Sequence, residues 1–239
     1  MLRHRFGPAM ALGAVLLTCG SVRAQIVYEF VDATTGLTQN NFIVPIGGTL
    51  PIRVYLHELT PGAPMFHSAG GLGSAAVALS FANPPGVAGL SLADITPATT
   101  TNGGAWDFGT PTLSPSGTSA SVSVGQFTTG VAPDASGRVL LGTFALHGQA
   151  PGILTLTAAD PNPLIAFDTS SFAAGANFIP LINYDPLITA GSATLTVTPV
   201  PEPSGLLVTF AVAAGLIFAA RRLSPTSRAA SPAPSDPAM

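Results

Sequence analysis

Apolar and polar residues alternate along the middle of this chain with a period of two. IVYEFVDA (26–33), TLPIRVYLHEL (49–59), SAAVALSFA (74–82), SASVSVGQFTT (119–129), GRVLLGTFALHG (137–148), GILTLTAA (152–159) and SATLTVTP (192–199) each place β-branched or aromatic residues on alternate positions. That spacing sends one set of side chains to a buried face and the other to solvent, which predicts strands. Between them lie TPGAPM, NPPGVAG, TNGGAWD, SPSGTS and APDASG, clusters of Gly, Pro, Asn and Ser that suit turns. No inner stretch has a convincing helical period; SFAAGANF (171–178) suits at most one short turn. Many short strands with frequent turns predict an all-β fold, an antiparallel β-sandwich of jelly-roll or immunoglobulin-like type with about 8–9 strands.

The two ends break this pattern. MLRHRFG is positively charged, PAMALGAVLL is apolar, and Val22 and Ala24 stand three and one residues before Gln25. An apolar run of that size is too short to span a bilayer, so residues 1–24 read as a cleaved secretory signal helix. At the other end Ser204–Ala220 is an uncharged run of 17 residues followed by Arg221 and Arg222. As a helix it reaches about 25 Å, close to the thickness of a hydrocarbon core, and the arginines favour a cytoplasmic C-terminal end. The expected organisation is therefore a signal peptide (1–24), a β-sandwich (25–198), a sorting segment (199–223) with a transmembrane helix (204–220), and a Ser/Pro/Ala-rich disordered tail (224–239).

Charge narrows the classes of partner. The chain has no lysine, and between Gln25 and Val200 only Arg53 and Arg138 stand against nine acids, a formal charge of −7. Nucleic-acid binding needs clustered cations, so a nucleic-acid partner is not expected. The single cysteine, Cys19, lies in the leader, which leaves the sandwich without a disulfide, a thiol nucleophile or a cysteine zinc site.

Candidate chemistry is sparse. His57, His67 and His147 lack the spacing of a helical metal motif, and no serine sits in a GxSxG elbow. Neither catalytic residues nor a cofactor or metal is expected. The nearest approach to a cation loop is DPNPLIAFD, Asp160 to Asp168, which lacks the alternating ladder of an EF-hand. Trp106, in GGAWDFG, is a candidate glycan-stacking residue or equally a core plug.

Two resemblances add to this reading. Pro201-Glu202-Pro203, the uncharged helix and Arg221-Arg222, in that order behind a signal peptide, resemble the PEP-CTERM sorting signal of Gram-negative and related bacteria. The resemblance implies processing near the tripeptide by a membrane transpeptidase, an exosortase, while the helix holds the chain in the inner membrane facing outward. Cell-surface or extracellular-matrix placement would follow. Prolines at 199, 201 and 203 favour an extended segment that cannot join the helix, which keeps the motif exposed. The 16-residue tail departs from that family, whose members usually end soon after the arginines.

The order FIVPIGGTLPIRVYL, LGSAAVALSF, GRVLLGTFALHG, GILTLTAAD and ATLTVTP also resembles cohesin-like and carbohydrate-binding-module-like sandwiches of bacterial surface proteins. Cohesins bind a partner module and the carbohydrate-binding families bind glycans through exposed aromatics. Neither surface transfers to this sequence residue by residue. The expectation is an exported, non-enzymatic structural or adhesive module with a protein or polysaccharide partner. A carbohydrate-binding module is the alternative, and a secreted hydrolase ranks lower.

Overall fold

The computed structural model describes residues 26–59, 65–68, 70–82, 86–127, 129–172 and 180–200. Among them fourteen strands, numbered in chain order, form two sheets. The smaller sheet holds β1 (Ile26–Asp32), β3 (Thr49–Glu58), β9 (Arg138–Gly148) and the short β13 (Ile188–Thr189), β5 (Ala88–Gly89) and β6 (Ile95–Pro97). Its order is β13-β1-β3-β9-β5, with β6 also on β9. The larger sheet holds β2 (Asn41–Pro45), β4 (Ser74–Ala82), β7 (Phe108–Leu113), β8 (Ser119–Gly125), β10 (Gly152–Ala159), β11 (Ser170–Phe172), β12 (Pro180–Asn183) and β14 (Gly191–Thr198). It runs β7-β8-β4-β10-β14-β2, and β11 pairs with β4 at Ser74 and carries β12.

The period-two pattern becomes two faces. In β3, Leu50, Ile52, Val54 and Leu56 are buried while Pro51, Arg53, Tyr55 and His57 face outward. Their partners in the core include Tyr28, Phe30, Leu141, Phe144 and Leu146 from the same sheet, and Val77, Leu79, Val122, Leu154, Leu156 and Leu195 from the other. Full burial of each such aliphatic side chain contributes about 1.5–3 kcal/mol, so the core holds without covalent help. β9 carries a bulge opposite Val54 and Tyr55. The extra residue resets the alternation, which lets both Leu141 and Phe144 reach the core.

Two expectations need correction. The sandwich is mixed, because β13 runs parallel to β1 and β2 runs parallel to β14 at the sheet edges. The strands also outnumber the 8–9 expected, since seven short ones lie outside the seven stretches that read as strands. β7 is the clearest case: Pro111 and the flanking turn clusters mask it, and a proline-bearing strand belongs at an edge, where β7 lies. A four-residue helix, α1 (Met65–Ser68), starts where the turn cluster TPGAPM ends.

The chain divides into two compact units, residues 1–198 and 199–239. Of the second, only Pro199 and Val200 are described, and both are exposed. Among the described residues no helix is long and apolar enough to cross a membrane. The signal segment 1–24, the run 204–220 and the tail lie outside the described residues, as does nearly all of 171–178.

Candidate functional site

Chemistry gathers at the end of β10. Asp160 opens the loop after that strand and its carboxylate accepts the Asn162 N–H at 2.8 Å. The loop returns through Phe167, a non-glycine residue at φ 73°, a conformation that costs about 1–2 kcal/mol. Asp185, in the turn before β13, holds this return by accepting the backbone N–H of Phe167 at 2.7 Å and of Thr169 at 2.9 Å. Asp168 is thereby brought against Asp160 and Asp185, with one oxygen from each of the three within 4.8 Å of the others. The Asp168 Oδ1 atom is buried and meets no donor. Burial, then the neighbouring Asp185 and Asp160, push the Asp168 carboxyl up to about 7. Its own burial, and then Asp160, Asp168 and Asp185, raise the phenol of Tyr28, whose O–H donates to the Ala76 carbonyl at 2.8 Å.

Three carboxylates at this spacing suit two states: a shared proton, or a hard cation such as Ca²⁺ taking carboxylate, carbonyl and water oxygens. Beside them lies a cleft of about 380 Å³ that includes Leu164, Ile165 and Asn183. The sequence pointed to Asp160 and Asp168. Asp185, seventeen residues further on, was not flagged because only the pairing of β11 with β12 brings it near.

A second polar cluster braces the outer face of the smaller sheet. Glu29 of β1 pairs with His57 of β3 and with Arg138 of β9, the latter at 3.4 Å. Arg138 also reaches Asp134 at 3.3 Å and lies over the ring of Tyr55, 5.1 Å from its centroid. Desolvation opposes these charges, but the backbone N–H groups of Arg138 and Ser136, and then the Arg138 charge, outweigh it and lower Asp134, while the Asp134 and Glu29 charges outweigh it and raise Arg138. His147 bridges Thr49 and Asp94, each at 2.9 Å, on an open strand face where it is 42 % exposed. Both histidines thus tie neighbouring elements together. α1 contains His67, whose side chain lies outside the described residues.

Trp106 is corrected as a glycan contact: it is 0 % exposed. Its ring fills the core and its indole N–H donates to the Leu140 carbonyl at 2.8 Å, beside the β9 bulge. Pro201, Glu202, Pro203, Arg221 and Arg222 lie outside the described residues.

The two sheets divide the charge unequally. Glu29, Asp32, Arg53, Glu58 and Arg138 all belong to strands of the smaller sheet. The eight strands of the larger sheet contain no charged residue and no histidine. Their outward positions are mostly Ser and Thr, and cross-strand register lines these up in rows. Thr112 pairs with Ser121, Ser80 with Thr157, and Thr155 with Thr194.

No known protein-family model matches the chain, and none of the curated proteins does. Among solved structures it is similar to a cohesin module from a Clostridium perfringens family 33 glycoside hydrolase, with 10 % identity and a TM-score of 0.44 over 74 % of this chain and 99 % of that one. It is also similar to the third cohesin ScaC of Acetivibrio cellulolyticus, solved with the ScaB dockerin, with 10 % identity and a TM-score of 0.41 over 72 % and 99 %. A Clostridium thermocellum cohesin–dockerin complex, OlpC with Doc435, gives 8 % and 0.38 over 73 % and 96 %. Likenesses this distant fix neither partner nor activity for this chain, and the sandwich stands on its own strand pairing.

Proposed function

We propose that this chain is an exported, non-enzymatic module that works by contact, as a structural or adhesive component of the cell surface or extracellular matrix. The observation that carries the contact role is the partition of charge. One complete sheet of the sandwich has no ionisable side chain in its strands and turns ranks of Ser and Thr outward. A face without charge has no ionic group to desolvate and none to repel a neighbour, which suits lying against another molecule. Histidines and acids meet elsewhere, but in ion pairs that span strands.

The export and sorting part rests on sequence alone: the leader 1–24, Pro201-Glu202-Pro203, the run 204–220 and Arg221-Arg222. An exosortase would act on the chain while the inner membrane holds it.

One experiment tests the whole reading. In a bacterium with an exosortase, the mature chain is expected in the surface or matrix fraction, with a new C-terminus near residues 201–203 by mass spectrometry. Glu202→Ala is expected to leave it membrane-bound and intact through Met239. A wild-type chain intact through Met239, or one processed and then released entirely into the medium, overturns the proposal.

A further inference from the structure

We infer that the outer face of the larger sheet binds a neutral polysaccharide, with Phe108 and Phe127 as its stacking residues. This rests on the reading of the chain as a contact module and names the partner.

Phe108 is 45 % exposed and Phe127 57 %, although large aromatics are ordinarily buried. Their ring centroids lie 4.8 Å apart with planes tilted by 33°. The pair is held in place rather than left loose. Phe108 opens β7 on the same face as Thr110 and Thr112, opposite Gly125 of β8. A Cβ on Gly125 would come within 2.3 Å of the Phe108 ring, so the glycine is what lets that ring lie down over the sheet. Phe127 is fixed through its backbone N–H, which donates to the Asp107 carboxylate at 2.8 Å. The preceding Gln126 amide donates to the Ala105 carbonyl.

From this pair the uncharged face continues across β8, β4, β10 and β14. The solvent side of this stacked pair offers an apolar contact for the C–H face of a pyranose, and each hydroxyl beyond it can donate and accept, as sugar hydroxyls do. With no cation in the eight strands, nothing there would attract a polyanion. A neutral polymer of sugars matches both halves of the face; a charged glycan matches neither.

The test is affinity electrophoresis of the processed chain, purified from the surface fraction, through gels containing xyloglucan, galactomannan, mixed-linkage β-glucan, dextran or hydroxyethylcellulose, with alginate as the anionic arm. At least one neutral polymer is expected to retard the chain, equally at low and high NaCl, and alginate is not. Phe108→Ala and Phe127→Ala are each expected to weaken retardation about tenfold while thermal melts stay unchanged. His57→Ala, on the other sheet, is expected to leave retardation as it was.

Retardation by none of the neutral polymers, retardation by alginate alone, or binding that survives both phenylalanine variants overturns the inference. So does a concentration-dependent dimer that Thr112→Lys dissociates, which would make the occupant a second copy. If the chain is processed and retained at the surface but no neutral polymer retards it, the polysaccharide fails and the contact role stands. If it is never processed or retained, the contact role fails whatever the gels show.

Discussion

Glu58 ends β3 on the buried side and is only 5 % exposed, yet it faces two donors. Its carboxylate accepts the backbone N–H groups of Met65 and Phe66, so it closes the start of α1 against the strand. Removing this buried acceptor takes away the hydrogen bond that each N–H makes to the carboxylate, a loss of about 1–3 kcal/mol in all. Glu58→Ala is therefore expected to lower the chemical-denaturation midpoint clearly, and Glu58→Gln, which keeps an acceptor oxygen, to lower it less. Equal losses in the two variants would show that the side chain acts by filling space.

Asp168 makes the opposite kind of statement. Its carboxyl is raised from 3.8 to about 7, so the folded chain holds this proton more tightly than the unfolded chain does. Stability from this group is full below the unfolded value, declines as pH rises through the interval between the two, and stays reduced above about 7. Asp168→Asn mimics the protonated form permanently. In EDTA its Tm should match the wild type in acid and exceed it above neutrality by about 2–4 °C for each kcal/mol recovered. Melts with excess Ca²⁺ separate the two occupants of the cluster. A cation stabilises the wild type above neutrality and leaves the Asn variant unmoved, whereas a proton-only cluster responds to neither Ca²⁺ nor EDTA.

At the scale of elements, the long strands were legible because their alternation runs for seven residues or more, and β1, β3, β4, β9 and β10 lie within a residue or so of their expected limits. β2, β7 and β11 to β13 were not, because a strand of two to six residues shows too little of its period to stand out from a turn. The candidate sites were less legible still. The Asp160–Asp168 loop stood in sequence, but its third member and the Phe108–Phe127 pair depend on contacts between elements. Trp106 was visible as a residue and ambiguous in role, and its burial follows from the turn that delivers it.

That turn yields an element-scale prediction. Gly103 adopts φ 76°, and a Cβ on Gly104 would lie 2.0 Å from the Ala98 carbonyl oxygen, which accepts the backbone N–H of Trp106 at 3.1 Å. The obstacle is backbone against backbone and cannot rotate away. Gly104→Ala is expected to cost about 2–4 kcal/mol and to raise the accessibility of Trp106 to acrylamide quenching. Unchanged fluorescence quenching would show that the turn relaxes without moving the ring.

At the scale of the whole molecule, the sandwich assigns its two outer faces different chemistry, and one strand suffices to test that assignment. In β14, Leu195 is fully buried and pairs with Leu154, while Thr194 and Thr196 on either side of it face outward. Because side chains alternate strictly, a lysine at 196 stands in solvent and a lysine at 195 enters the core. An outward lysine is expected to change stability by no more than about 0.5 kcal/mol. A lysine at 195 loses the apolar burial of the leucine and brings an unpaired charge inside, a change few domains survive. Thr196→Lys should therefore give a soluble chain with a near wild-type Tm, and Leu195→Lys should give an unfolded or insoluble one. The same Thr196→Lys chain then reports on the face itself, since it places the first charge in a strand of the larger sheet without disturbing the fold. If partner contact runs across this face, that single lysine weakens it at unchanged stability. If Thr196→Lys unfolds the chain and Leu195→Lys does not, the two faces have been assigned the wrong way round.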